Sequence, residues 1–122
     1  MKRFQDYKVF QDSHRLNMGV YQRTNAFPRH ELFGLTSQMR RAASSITTNI
    51  AEGSVKSGRE FRQALRIALG SAAELEYQFL MARDLGYIET AEHDAYLDGV
   101  TQVRKMLTAF IRAIDRSLGD TG

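Results

Sequence analysis

A single proline in 122 residues leaves nearly the whole chain free to be helical, because proline is the residue that removes a backbone donor and collides with the preceding turn. Apolar residues then recur at helical spacing in four runs. In residues 8–24, Val9, Ser13, Leu16 and Val20 fall on one side of a helix. Residues 29–52 carry Leu32, Leu35, Met39, Ala42, Ile46 and Ile50 on one stripe. Residues 58–85 carry Phe61, Leu65, Ala68, Ala72, Leu75, Phe79 and Ala82, and residues 91–118 carry Tyr96, Val100, Val103, Leu107, Phe110 and Ile114. Breaks fall between the runs. Pro28 suits the first turn of the second helix, where its missing N–H costs nothing. Gly53 to Gly58 ends that helix, and Ser57 with Glu60 forms a capping box for the third. Gly86 to Thr90 makes the last turn, with Thr90 as the expected cap. No run alternates with period two. Four amphipathic helices on short connections bury their stripes against one another, which predicts an all-α, antiparallel up-down-up-down four-helix bundle, one domain over residues 1–122.

Composition narrows the setting. Hydrophobic residues make up 43% and charged residues 25%, values of a globular chain. There is no cysteine, which excludes disulfides and thiolate metal sites and fits a reducing cytoplasm. No stretch of about 18 apolar residues and no apolar signal segment after Met1-Lys2-Arg3 point away from a membrane and toward a cytoplasmic protein.

Catalytic patterns are missing. His14, His30 and His93 have no partner at a metal-ligand spacing; Glu89 and Glu92 beside His93 read as surface or capping chemistry at a helix start. The segment from Gly53 to Gly58 holds a lysine and serines, but neither a preceding strand nor the residue order of a phosphate loop. Ser37, Ser44 and Ser45 lack a His–Asp pair. Glu74 and Glu76, two apart on a helix, point to different sides and make a poor acid–base pair. The expectation is no enzyme, no metal and no cofactor.

Two polar patterns stand out instead. Gln38, Arg41, Ser45, Asn49 and Glu52 follow helical spacing, about 110° from the apolar stripe of the second helix at 100° per residue. They form either an ordinary solvated face or a hydrogen-bonded seam between helices or subunits. In such a seam Arg41 would reach Glu52 of a neighbour, or Glu76. The other pattern is basic. Residues 1–53 carry eight Lys/Arg against four Asp/Glu, residues 54–88 five against four, and residues 89–122 four against six. Lys56, Arg59, Arg62 and Arg66 form one row, and Lys105, Arg112 and Arg116 another. Such rows can follow a phosphate backbone, or lie as solvated faces paired with Glu60 or Asp115. No aromatic residue interleaves with them, which speaks against base stacking. An oligomer would repeat each row and turn weak contacts into avidity. In a single chain the rows read first as solvated faces; a non-enzymatic oligomeric scaffold binding RNA or DNA, and a protein-interaction adaptor as its alternative, both stay open on the residues alone.

Phe27-Pro28, the run from Gly34 to Ile46, and Asn49-Ile50-Ala51-Glu52-Gly53 together form one signature. A second is the run from Ile67 to Glu76 followed by Leu85-Gly86-Tyr87. With these the chain resembles, from about Phe4 to Leu118, the bacterial four-helix-bundle proteins known as 23S rRNA intervening sequence proteins. The resemblance implies a ring-shaped homopentamer. It also implies kinship with the accessory variability determinant of diversity-generating retroelements, a basic pentameric barrel that binds nucleic acid and a reverse transcriptase. Ser13 and Phe10 stand where the family usually has a small apolar residue and a tryptophan, and the acidic fourth helix departs from a strongly basic barrel. Because the polar stripe coincides with the first signature, Gln38, Arg41, Asn49 and Glu52 belong to architecture before ligand contact.

Overall fold

The computed structural model describes residues 2–119. Helices α1 (Lys8–Thr24), α2 (Leu35–Gly53), α3 (Gly58–Asp84) and α4 (Thr90–Ser117) make the bundle, with short 3-10 turns at Phe4–Asp6 and Arg29–Glu31. Each helix packs on its chain neighbours and α4 closes onto α1, while the diagonal pairs make no close approach. This is the square up-down-up-down arrangement that four apolar stripes on short connections dictate.

The stripes meet on the bundle axis. Met39, Ile46 and Ile50 of α2, Leu65, Leu75 and Phe79 of α3, and Val100, Val103 and Leu107 of α4 are fully buried. Each such side chain is worth about 1.5–3 kcal/mol relative to exposure. The closest pair is α2 with α3, because small residues line it: Ala42, Ala68 and Ala72 are buried. At Gly53 an added Cβ would stand 2.8 Å from both Ala64 Cβ and Phe61 Cδ1. Gly53 therefore permits close approach and needs no left-handed backbone, in contrast to Gly86 at φ 81°.

The second run starts later than its periodicity indicates. Residues 29–31 form a 3-10 turn, and α2 begins only at Leu35. Leu32, expected on the inward stripe, is 50% exposed. The cause is local: Gly34 leaves helical geometry at φ −114°, ψ −117°, and the Glu31 carboxylate accepts from the Leu35 N–H at 3.1 Å, satisfying a free donor of the new helix. A side chain at Gly34 would meet that carboxylate oxygen at 2.7 Å. At the end of α4, Ile111 is buried while Phe110 and Ile114 are only partly so.

Helix ends explain much of both signatures. Arg40 donates to Thr24 Oγ1 at 3.0 Å and to Asn25 Oδ1 at 2.9 Å, placing a cation at the carboxyl end of α1, where the helix dipole favours it. Gly86 closes α3 in a Schellman motif: Tyr87 N–H bonds to the Ala82 carbonyl at 2.8 Å and Gly86 N–H to that of Arg83 at 2.9 Å. Ser57 caps α3, its Oγ accepting from the Glu60 N–H at 3.3 Å; the Glu60 carboxylate accepts from the Ser57 hydroxyl at 2.9 Å instead of the backbone N–H, so the expected box is half formed. At α4 the cap is Glu89 rather than Thr90, its N–H bonded to the Glu92 carboxylate at 3.4 Å. Thr90 is the helix's first residue.

At this end of the bundle two carboxylates tie the connections together. Glu31 also accepts from the Tyr87 hydroxyl at 2.7 Å. Arg23 clamps Glu92 through Nε at 2.6 Å and Nη2 at 3.1 Å, and donates to the Tyr87 carbonyl at 3.0 Å. The Tyr87 and Leu35 hydrogen bonds hold Glu31 below the usual carboxylate range; the Arg23 hydrogen bond does the same for Glu92.

Packing and charge at these points are both open to test. Gly53→Ala forces α2 from α3 and lowers stability by about 1–3 kcal/mol, read as a lower urea midpoint at unchanged slope. Depressed carboxylates stabilise the fold above their unfolded pKa, about 4.3, and that share disappears as pH falls through the folded value. Tyr87→Phe should therefore unfold at a lower temperature than wild type at pH 7, and the gap should narrow below about pH 4. A gap of constant size from pH 7 to pH 3 would show that the hydrogen bond does not favour the ionised form.

Candidate functional site

Two grooves flank α3. The first lies between α2 and α3, has a volume of about 530 Å3, and is lined by Gln38, Arg41, Ala42, Ser45, Ser71 and Glu74. The polar stripe thus divides. Ser45 and Asn49 turn toward the helix contact: Ser71 Oγ donates to Ser45 Oγ at 2.8 Å, and Asn49 Nδ2 donates to the Ser45 carbonyl at 2.8 Å and to its hydroxyl at 3.1 Å. Gln38, Arg41 and Glu52 remain exposed. Beneath the groove's α3 wall, Gln78 is buried, and its Nε2 reaches Glu74 Oε1 at 3.4 Å. Its Oε1 is a buried oxygen with no hydrogen-bond partner.

Glu76 does not belong to this seam. It lies on the opposite flank of α3 and accepts from Arg104 Nη1 of α4 at 2.8 Å. Arg41 accordingly lacks the intrachain partner expected for it, and among the described residues it makes no ion pair. Periodicity places Glu76 near the edge of the apolar stripe without saying which neighbouring helix lies at that edge.

The second groove lies between α3 and α4 and has a volume of about 400 Å3. Leu69 and Ala109 supply apolar surface, Thr101 and Thr108 supply hydroxyls, and Arg104, Lys105 and Arg112 supply positive charge. No carboxylate lines it. Lys105 and Arg112 are exposed and Arg104 is half-buried, positioned by Glu76.

Residues of the first basic row separate. Arg59 and Arg66 are exposed, as are Lys56 in the connection before α3 and Arg116 near the end of α4. Arg62 is different: its Nη1 donates to Asp115 Oδ1 at 2.7 Å, the two side chains being 15% and 9% exposed. It joins α3 to α4 at one end of the second groove. Sequence spacing groups Arg62 with Arg59 and Arg66, but the 53-residue separation from Asp115 is bridged only once α4 folds back on α3.

An aromatic residue joins this face against expectation. Tyr77 is 61% exposed and, at 100° per residue, points the same way as Arg59 and within about 20° of Arg66. A ring therefore does share the outward row of α3, and the spacing 59, 66, 70, 73, 77 is the sequence signal that finds it. Among the histidines, His93 is buried rather than at the surface, its Nδ1 3.2 Å from Asp94 Oδ1. No group of three potential metal ligands occurs among the described residues, and no described helix is long and apolar enough to cross a membrane.

Fold and surface together define a small four-helix bundle with a polar α2–α3 seam and a groove between α3 and α4 whose charged lining residues are all basic. Residues 5–109 match the model of the family described as 23S rRNA-intervening sequence protein, and the chain belongs to that family. A solved structure of a protein of unknown function from the S23 ribosomal protein family of Bacteroides thetaiotaomicron VPI-5482 has the same fold. The TM-score is 0.78 at 24% sequence identity, over 85% of this chain and 95% of that one. Among curated proteins none matches the chain.

Asp115→Ala should cost about 1.5–3 kcal/mol, the worth of a charge-assisted hydrogen bond in a partly enclosed site, read by chemical denaturation. Asp115→Asn, which keeps an acceptor, should cost less. Equal stability of Asp115→Ala and wild type would show that the α3–α4 pair is not held by this contact.

Proposed function

We propose that this protein is a non-enzymatic, oligomeric scaffold of the cytoplasm that binds RNA or DNA through its α3–α4 face. The observation that carries the reading is the groove in which exposed Lys105 and Arg112 stand beside the Glu76-paired Arg104, with no carboxylate among the lining residues. Exposed Arg59 and Arg66 extend the positive surface along α3, and Arg116 extends it along α4. Phosphates are attracted to such a surface by charge and by release of their counterions. Arginine adds two-point hydrogen bonding. Arg62, committed to Asp115, acts as a strut beneath the surface.

Assembly multiplies the effect. The exposed Gln38, Arg41 and Glu52, flanking the polar groove, suit a subunit contact built from hydrogen bonds. The ring-shaped homopentamer implied by the family resemblance would present the basic face five times, and the kinship with the accessory variability determinant that the same resemblance implies would bring the same ligand class. Avidity from repeated weak sites then replaces any need for a deep pocket.

A protein-interaction adaptor is the second reading, and Phe33 favours it. This side chain is 93% exposed beside the stiff turn that Glu31 organises. That reading predicts no polyanion binding near physiological salt.

Fluorescence anisotropy of a labelled RNA at several salt concentrations tests the proposal. Wild type should bind with strong salt dependence. Replacing Lys105 and Arg112 by alanine should weaken binding at least tenfold and reduce the salt slope by about 2, one unit for each cation removed from a phosphate. Unchanged affinity in that variant would remove the site.

A further inference from the structure

Resting on the nucleic-acid reading, we propose that the α3–α4 face takes single-stranded nucleic acid, and that Tyr77 is the platform on which one of its bases stacks. Aromatic rings in this bundle are almost all engaged. Tyr7, Phe61 and Phe110 form one cluster; Phe27 pairs with Tyr87, Phe79 with Tyr96, and Phe4 with Phe10. Tyr21 lies under the Arg40 guanidinium. Tyr77 and Phe33 are the exceptions among the described residues, and of the two only Tyr77 stands on a basic face.

The surface between Tyr77 and the arginines is open. Gly70 and Ala73 occupy the intervening turns of the outward row, and a Cβ built on Gly70 would meet nothing within 4 Å. From Arg66 to Tyr77 is eleven residues, about 16 Å at the helical rise, a span that covers a few nucleotides. The acid next to Tyr77 in sequence, Glu76, is neutralised by Arg104. Glu74, on the α2 flank, is reached by the buried Gln78 amide. A chain lying here would meet arginine, then a shallow floor, then an exposed ring.

The neighbouring groove has matching chemistry. Leu69 and Ala109 offer apolar contact beside the hydroxyls of Thr101 and Thr108, with Lys105 and Arg112 at hand. A duplex keeps its base faces stacked inside and would use only the cations. A single strand can use the cations, the apolar floor and the ring at once. The mixed character of this face therefore selects the single strand.

Tyr77→Trp provides the test, because the chain contains no tryptophan and the new side chain reports from the site alone. A single-stranded oligouridylate should quench its fluorescence, whereas an RNA duplex of equal length should not. Tyr77→Ala should weaken oligouridylate binding about tenfold, the lower range for loss of one stacked base, and Tyr77→Phe should bind like wild type. Far-ultraviolet circular dichroism and solution mass establish that each variant keeps its fold and assembly. If duplex and single strand bind wild type equally and Tyr77→Ala changes neither, this inference fails, while the broader reading stands provided that the Lys105, Arg112 double variant weakens both. If wild type binds neither, both fail. If Tyr77→Ala instead breaks the oligomer apart, the residue is a subunit contact and the stacking role is overturned.

Discussion

The close approach of α2 to α3 sets everything the surface can present. It depends on small residues at matched positions: Gly53 against Ala64 and Phe61, buried Ala42, Ala68 and Ala72, and Ser45 hydrogen-bonded to Ser71. Contacts of this kind leave little rotational freedom, since turning α3 by one residue's 100° would drive large side chains into the seam. With α3 so fixed, Arg62 must face α4, Glu76 must face Arg104, and Arg59, Arg66 and Tyr77 must face outward. Packing in one half of the bundle thereby decides the electrostatics of the other.

The architecture is legible in the sequence because it rests on period and punctuation. Every residue expected on the inward stripe of α3 is buried, since an uninterrupted 27-residue helix keeps phase along its length. Leu32 departs because the apolar pattern continues through Gly34 while the backbone does not. The cap at Ser57 is readable from the sequence, although Glu60, three residues on, takes the Ser57 hydroxyl and not the backbone N–H that would complete a box. The cap at Glu89 is not, because Thr90 has the commoner capping side chain and Glu92 acts on the backbone of an acidic residue.

The candidate site is legible only in its ingredients. Rows such as Lys105, Arg112 and Arg116 can be drawn on one helix, yet a groove needs the register between two. Whether Arg62 faces solvent or Asp115, and whether Glu76 lines the α2 seam or the α4 seam, depends on approach between distant segments. Helical arithmetic gives directions about one axis and leaves the identity of the neighbour open. Tyr77 is the contrary case: the arithmetic that finds the arginines also finds this outward ring, but an apolar side chain on a polar row is easily taken for core.

Glu31 gives the bundle two unlike poles. Its two oxygens receive the first N–H of α2 and the Tyr87 hydroxyl, so the loops at that pole are stapled to one another and share their fate. At the other pole the α2–α3 connection is held by an exposed Ser57–Glu60 pair, and the Gly58 backbone lies beside the Leu118 side chain. The loops at the Glu31 end are thus tied through one carboxylate, whereas at the far end the helices themselves are tied, by the Tyr7, Phe61 and Phe110 rings and by the Arg62–Asp115 pair.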